Sequence, residues 1–283
     1  MDLSPEDFSD YSSSPDPRYE LSGVREWAYE QKGRIEVFTG QAMQLLIGMG
    51  YRKDDISVIV RDRVTDIVRD IAQEGQRRGY DALVAGHSAV SLIKDLPVES
   101  ISEGLVALLS RLPVWVVGGS PDTSKILIAI DNSREAKTKR TLDYVADLFP
   151  DTSHPEFLLL HVSSKMSLPE PNFGNLRSFH QSRDWAERVE SDFRAGKEGM
   201  EPYFQECIAE MERRGIDRNR VRTKVIDESA SRSEAIVREA VDGNYGTIVL
   251  GKRTLSKVEE AIRGRVSDKV LQLAKDNAVW LVR

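Results

Sequence analysis

The stretch Ser124-Lys125-Ile126-Leu127-Ile128-Ala129-Ile130-Asp131-Asn132-Ser133 decides the fold. Its unbroken apolar run is that of a strand covered on both faces, and it ends on small polar residues. A helical period follows, with Ala136, Leu142, Val145, Ala146 and Phe149 facing inward and Pro150 as the stop. Glu156-Phe157-Leu158-Leu159-Leu160-His161-Val162 reads as a second buried strand. Lys165 to Arg183, with Pro169, Pro171 and Gly174, breaks the rhythm as a long surface loop or lid.

Beyond it, Asp184 to Arg214 reads as a long polar helix with Val189, Phe193, Met200, Phe204, Ile208 and Met211 on one stripe. Arg220 to Ile226 is a third strand, Glu234 to Val241 a helix, and Thr247 to Gly251 a fourth strand. A last helix places Val258, Ile262, Val266, Val270 and Leu273 at spacings of three and four, and Ala278 to Val282 is a fifth strand. Strands alternating with helices predict right-handed crossovers, hence one parallel five-stranded Rossmann-like α/β sheet with helices on both faces.

The end of the chain also lies on its first half. Tyr80-Asp81-Ala82-Leu83-Val84-Ala85-Gly86 aligns with Tyr245-Gly246-Thr247-Ile248-Val249-Leu250-Gly251. Without a gap, Ser91 then meets Ser256, Ser102 meets Ser267, and Val114-Trp115-Val116-Val117 meets Val279-Trp280-Leu281-Val282. Upstream, Ile67-Val68-Arg69 matches Ile236-Val237-Arg238. This predicts a duplication whose N-terminal copy is partial. Counting back from Tyr80 gives a strand at Ile56 to Val60 and a helix around Ile35 to Met49, but Leu21 to Gly33 holds no apolar run for either of the first two strands. The expected division is 1–22 as a flexible acidic N-terminus, 23–119 as an incomplete domain and 120–283 as a complete one.

Composition excludes several classes. A net charge of −6 lacks the surplus Lys and Arg of a nucleic-acid binder. No run of about 18 apolar residues exists, so no membrane insertion is expected. The N-terminus has no basic n-region followed by an apolar h-region, so it is not read as a signal peptide. The lone Cys207 forms no internal disulfide and has no ligand cluster around it, and a buried small hydrophobe in a cytoplasmic protein is the expectation. His87, His154, His161 and His180 lack ligand spacing, so no metal site is expected, and His161 reads as a satisfied core histidine. No nucleophile, base or metal-carboxylate pair is legible, so catalytic residues are not assigned.

In open parallel sheets ligands bind beyond the carboxyl ends of the strands, where the strand order reverses. Two stretches should meet there: Ala129-Ile130-Asp131-Asn132-Ser133, and Leu250-Gly251 with Thr254 and Gly264-Arg265-Val266-Ser267. Gly251 lets backbone approach a ligand, and Gly264 precedes a helix whose N–H groups favour an anion. Ser267 adds a hydroxyl, while Lys252, Arg253, Arg263 and Arg265 add charge. Asp131 is placed to accept from a ribose and Val162 to lie against a base. The same residues have structural alternatives: Asp131 as an N-cap, the glycines as turn formers, the cations as a solvated face, and Trp115 and Trp280 as packing or interface residues.

The order of elements and these motifs resemble the universal stress protein family over all of the second domain and the latter part of the first. Asp131-Asn132-Ser133 is similar to the family's Asp-Gly-Ser, and His161-Val162 to its His-Val. Gly251-x2-Thr254-x9-Gly264-Arg265 resembles its Gly-x2-Gly-x9-Gly-Ser/Thr, with Thr254 in place of the second glycine and Arg265 in place of the hydroxyl residue. Arg265 either clamps phosphates or fills the pocket. The first copy reads Gly86-x2-Ala89-x9-Glu99-Ser100, where Glu99 sets a carboxylate against phosphate, so no site is expected there.

The resemblance implies the fold of adenine nucleotide α-hydrolases and an ATP or AMP ligand, with Mg²⁺ accompanying ATP. It further implies a role in stress response through an unidentified regulatory protein partner. The final strands are expected to pair as the family's dimers do, either as a homodimer or as a pseudo-dimer within one chain. The alternative is an interaction module without nucleotide. In neither case is an enzyme expected beyond slow, incidental ATP hydrolysis.

Overall fold

The computed structural model describes residues 17–61, 66–77, 79–87, 104–106, 108–109, 112–131, 135–149, 155–164, 199–228, 231–251 and 265–282. The chain forms two compact units, Met1–Asp62 and Arg63–Arg283.

In the first unit, helix α1 runs over Pro17–Gly48 and a 3-10 turn over Lys53–Asp55. The helix thus starts inside the segment read as the flexible terminus, and it takes in both the strandless stretch and the helix expected around Ile35 to Met49. Val58, Ile59 and Val60 form no strand and are exposed. A strand needs hydrogen-bonding neighbours, and among the described residues no strand pairs with this segment.

The second unit is built on a single sheet. Its strands are β1 (Leu83–Gly86), β2 (Val114–Val117), β3 (Lys125–Ala129), β4 (Glu156–Ser164), β5 (Val221–Glu228), β6 (Thr247–Gly251) and β7 (Ala278–Val282). Their order is β1-β2-β7-β6-β3-β4-β5, parallel except where β2 meets β7. The five expected strands are all present, but the sheet has seven, because the final strand β7 takes β2 as an antiparallel neighbour.

The helices α2 (Ile67–Arg77), α3 (Glu135–Asp147), α4 (199–213), α5 (Arg232–Asp242) and α6 (Arg265–Leu273) accompany it. Two cores result. Ile126, Ile128, Phe157, Leu159, Val249 and Trp280 pack with Leu142 and Val145 of α3 and with Met200, Phe204, Ile208 and Met211 of α4. Leu127, Leu158, Leu160, Ile248, Leu250 and Leu281 pack with Ala235, Ile236 and Ala240 of α5 and with Val270 and Leu271 of α6. Alternate residues of each strand therefore serve opposite layers, which is why the strands read as unbroken apolar runs.

Two inward assignments change. Ala136 is exposed, while Thr138 and Thr141 are buried in its stead. Their hydroxyls donate to the carbonyls of Asp131 (3.3 Å) and Lys137 (3.0 Å), so burial strands no polar group. On α6 Leu273 is exposed and Leu271 is buried. The expected starts of α4 and α6, the stop at Pro150 and the loop from Lys165 lie outside the described residues. Cys207 is buried, as a small hydrophobe would be.

The antiparallel junction centres on Trp115↔Trp280, flanked by Val114↔Leu281 and Val116↔Val279. The two indoles stack with centroids 4.2 Å apart and planes 10° from parallel. Pairing of Leu83↔Val114 through Gly86↔Val117 repeats that of Ile248↔Val279 through Gly251↔Val282. Because β7 is bonded to β6 on one edge and to β2 on the other, neither edge is open to a second chain. One difference breaks the correspondence. Val84 of the edge strand β1 is 60% exposed, whereas Val249 of β6, which has β3 beside it, is 0% exposed.

Trp280→Ala is expected to lower unfolding free energy by about 3–5 kcal/mol in urea titration, the cost of emptying a large buried aromatic site. Val84→Thr on the exposed edge should stay within about 0.5 kcal/mol of the wild type.

Candidate functional site

The sheet changes direction between β3 and β6. From β3 the chain moves outward to β4 and β5, then returns through α5 to β6 and β7 on the other side. Such a reversal separates the crossover helices and opens a crevice at the carboxyl ends of the two central strands. Ala129 pairs with Leu250 and with Leu160, so the residues that follow, Ile130 and Asp131, run beside Gly251 on one side and His161-Val162 on the other. The Ile130 amide continues the ladder by donating to the Leu160 carbonyl (2.9 Å).

Ile130, Val162 and Leu250 are buried, with Ile130 facing the layer of α3 and α4 and the other two facing that of α5 and α6. Asp131 and Gly251 are half-buried at the surface of the sheet edge. The Thr138 hydroxyl holds the Asp131 carbonyl to the first turn of α3. The backbone of Arg265 begins α6, with Val266 partly buried against the core and Ser267 half-buried one residue on. The expected ligand residues Asn132, Ser133, Thr254 and Gly264 lie outside the described residues, as do Lys252, Arg253 and Arg263.

Two contacts were not legible in the motif. The first is His161, which is half-buried and whose Nδ1–H donates to the Ile130 carbonyl (3.3 Å). A carbonyl only accepts, so the proton sits on Nδ1 and the neutral ring keeps its lone pair on Nε2. Desolvation lowers the His161 pKa below 6.5 and Arg232 adds to that effect, while the Ile130 hydrogen bond and the Asp131 charge oppose it.

The second is the surroundings of Gly251. A Cβ there would lie 2.5 Å from Lys137 Cε and 2.7 Å from Thr141 Oγ1. The glycine therefore receives side chains from α3. Only the register of a helix against a strand end brings these residues together, so spacing along the chain gave no sign of it. Among the described residues no group of acidic, histidine or cysteine side chains is arranged to hold a metal ion.

Residues 123–283, more than half of the chain, match the universal stress protein family. The chain belongs to that family. In structure it is similar to a universal stress protein from Archaeoglobus fulgidus DSM 4304 (20% identity, 91% of this chain and 79% of that one, TM-score 0.52). It is also similar to a functionally unknown protein from Pseudomonas aeruginosa PAO1 (16% identity, 87% and 77%, TM-score 0.49). A universal stress protein in complex with cAMP matches at 13% identity over 56% of this chain and 95% of that one, TM-score 0.36. No curated protein sequence matches the chain. No helix among the described residues is long and apolar enough to cross a membrane.

A lowered histidine pKa has a definite sign in stability. Between the folded pKa and 6.5 the unfolded chain binds the extra proton, so His161 costs stability as pH falls through that window and nothing above it. His161→Gln should therefore lose less stability than the wild type between pH 7 and pH 5, measured as urea midpoints. A parallel decline of both proteins would show that the imidazole is not the titrating group.

Proposed function

We propose that the chain is a regulatory protein of stress response that binds an adenine nucleotide, ATP or AMP, in the crevice between β3 and β6. Mg²⁺ would accompany ATP. The observation that carries this reading is that Asp131 and Gly251 end neighbouring parallel strands at the point where strand order reverses. A carboxylate there suits the two hydroxyls of a ribose, and the N-terminal side of α6 (Arg265–Leu273) is the end of a helix that favours phosphate. Family membership supports the same assignment. In this reading the nucleotide is a bound effector, with no turnover beyond slow, incidental ATP hydrolysis.

Of the segment 23–119 expected as an incomplete copy of the domain, the part within the second unit, 63–119, carries the support for that reading. The support is the matching registers of β1 on β2 and β6 on β7, together with buried Leu105, Val106 and Leu109 at the positions aligned with Val270, Leu271 and Ala274. On this reading the β2–β7 junction is a pseudo-dimer inside one chain, and the protein works in the cytoplasm without a partner on that edge. A second reading, an interaction module that needs no nucleotide, is supported by the apolar edge of β1, where Val84 stands exposed.

Calorimetric titration with ATP and AMP separates the two. Binding by the wild type should weaken at least about tenfold, roughly 1.4 kcal/mol, in Asp131→Ala. Absence of binding heat at millimolar ATP, with no nucleotide released on denaturation, would leave only the interaction module.

A further inference from the structure

The site motif contains no residue of α3 after its opening turn, yet α3 packs on β6 and β7 and its first turn reaches the crevice. Lys137 lies there. A Cβ on Gly251 would meet Lys137 Cγ at 3.2 Å and Lys137 Cε at 2.5 Å, so the stem of the lysine lies along the α-carbon of Gly251 almost to its end. The ammonium follows one bond beyond Cε. Thr141 Oγ1 closes the other side of the same glycine and donates to the Lys137 carbonyl at 3.0 Å. Thr138, the neighbour of Lys137, donates to the Asp131 carbonyl at 3.3 Å. The first turn of α3 is thus tied to both lips of the crevice: Asp131 at the end of β3 and Gly251 at the end of β6.

We propose that Lys137 is a phosphate-binding residue of this crevice, selecting nucleotides by their phosphate charge. The inference rests on the nucleotide reading above. A lysine stem laid over the α-carbon of Gly251 brings its ammonium to within one bond of Cε at the end of β6, beside the end of β3. Gly251 then has a use beyond close approach of ligand backbone: any larger residue would push the lysine off the strand end. An ammonium is a compact point charge with rotatable donors, which suits a phosphate oxygen whose position varies with chain length. Lys137 is carried by a helix packed on the sheet, so its position depends on the core.

The test compares ATP, AMP and adenosine binding by calorimetry in the full chain, with Lys137→Met and Lys137→Arg. Methionine keeps an unbranched stem over Gly251 and removes only the charge, and a thermal melt of each variant checks the fold. Lys137→Met should weaken ATP by roughly ten- to a hundredfold, the worth of one charge-assisted hydrogen bond. It should weaken AMP less and leave adenosine unchanged, while Lys137→Arg retains most ATP affinity. Unchanged ATP binding in Lys137→Met, or equal weakening of ATP and adenosine, overturns the assignment while the nucleotide site stands. If the wild type binds adenosine as tightly as ATP, phosphate selection is refuted. If it binds neither, the nucleotide reading fails, and the role of Lys137 falls with it.

Discussion

The fold depends on β3 being hydrogen-bonded along both edges, to β4 on one side and β6 on the other. Its backbone groups have no access to water, so each must be paired within the sheet, and a parallel neighbour on each side is what the crossover helices supply. With β3 central, the chain has to leave it in one direction and return on the other. That return places α3 over one face and α5 over the opposite one, and it sets the carboxyl ends of β3 and β6 side by side at the point of reversal. The crevice is thus a consequence of strand order before any side chain is considered.

The second organising contact is the antiparallel meeting of β2 and β7. Each of these strands would otherwise present an unpaired apolar edge, the usual starting point for association between chains. Here the two edges satisfy one another, with Trp115 and Trp280 stacked at the centre and Val114 and Val116 against Leu281 and Val279. The junction moves the exposed edge of the sheet from β7 to β1, a four-residue strand whose short length limits its capacity to recruit another strand.

The parallel α/β class, the positions of β3 to β7 and the apolar stripe of α4 were legible because burial on two faces writes continuous hydrophobic runs, and helix packing writes a period of three to four. Asp131 and Gly251 were legible as neighbouring strand-end residues, and strand ends are where such sheets bind ligands. His161 against the Ile130 carbonyl and Lys137 across Gly251 were not, since each joins residues distant in sequence through register alone. The strand expected at Ile56 to Val60 failed for a related reason. Local pattern reports the capacity to pair, while pairing itself needs a partner in space, and among the described residues no strand pairs with that segment.

What this sequence determines by itself is the identity of the repeating units: where apolar runs form strands, where helices follow them, and which residues end them with a carboxylate or a glycine. These are properties of short stretches, set by periodicity and by backbone preference. Only the tertiary structure decided that five strands become seven, that Trp115 faces Trp280 within one chain, and that Ala136 is exposed while Thr138 and Thr141 are buried. Those outcomes turn on which hydrogen-bonding edges meet and on which hydroxyls find carbonyls, and both are settled by the assembled sheet.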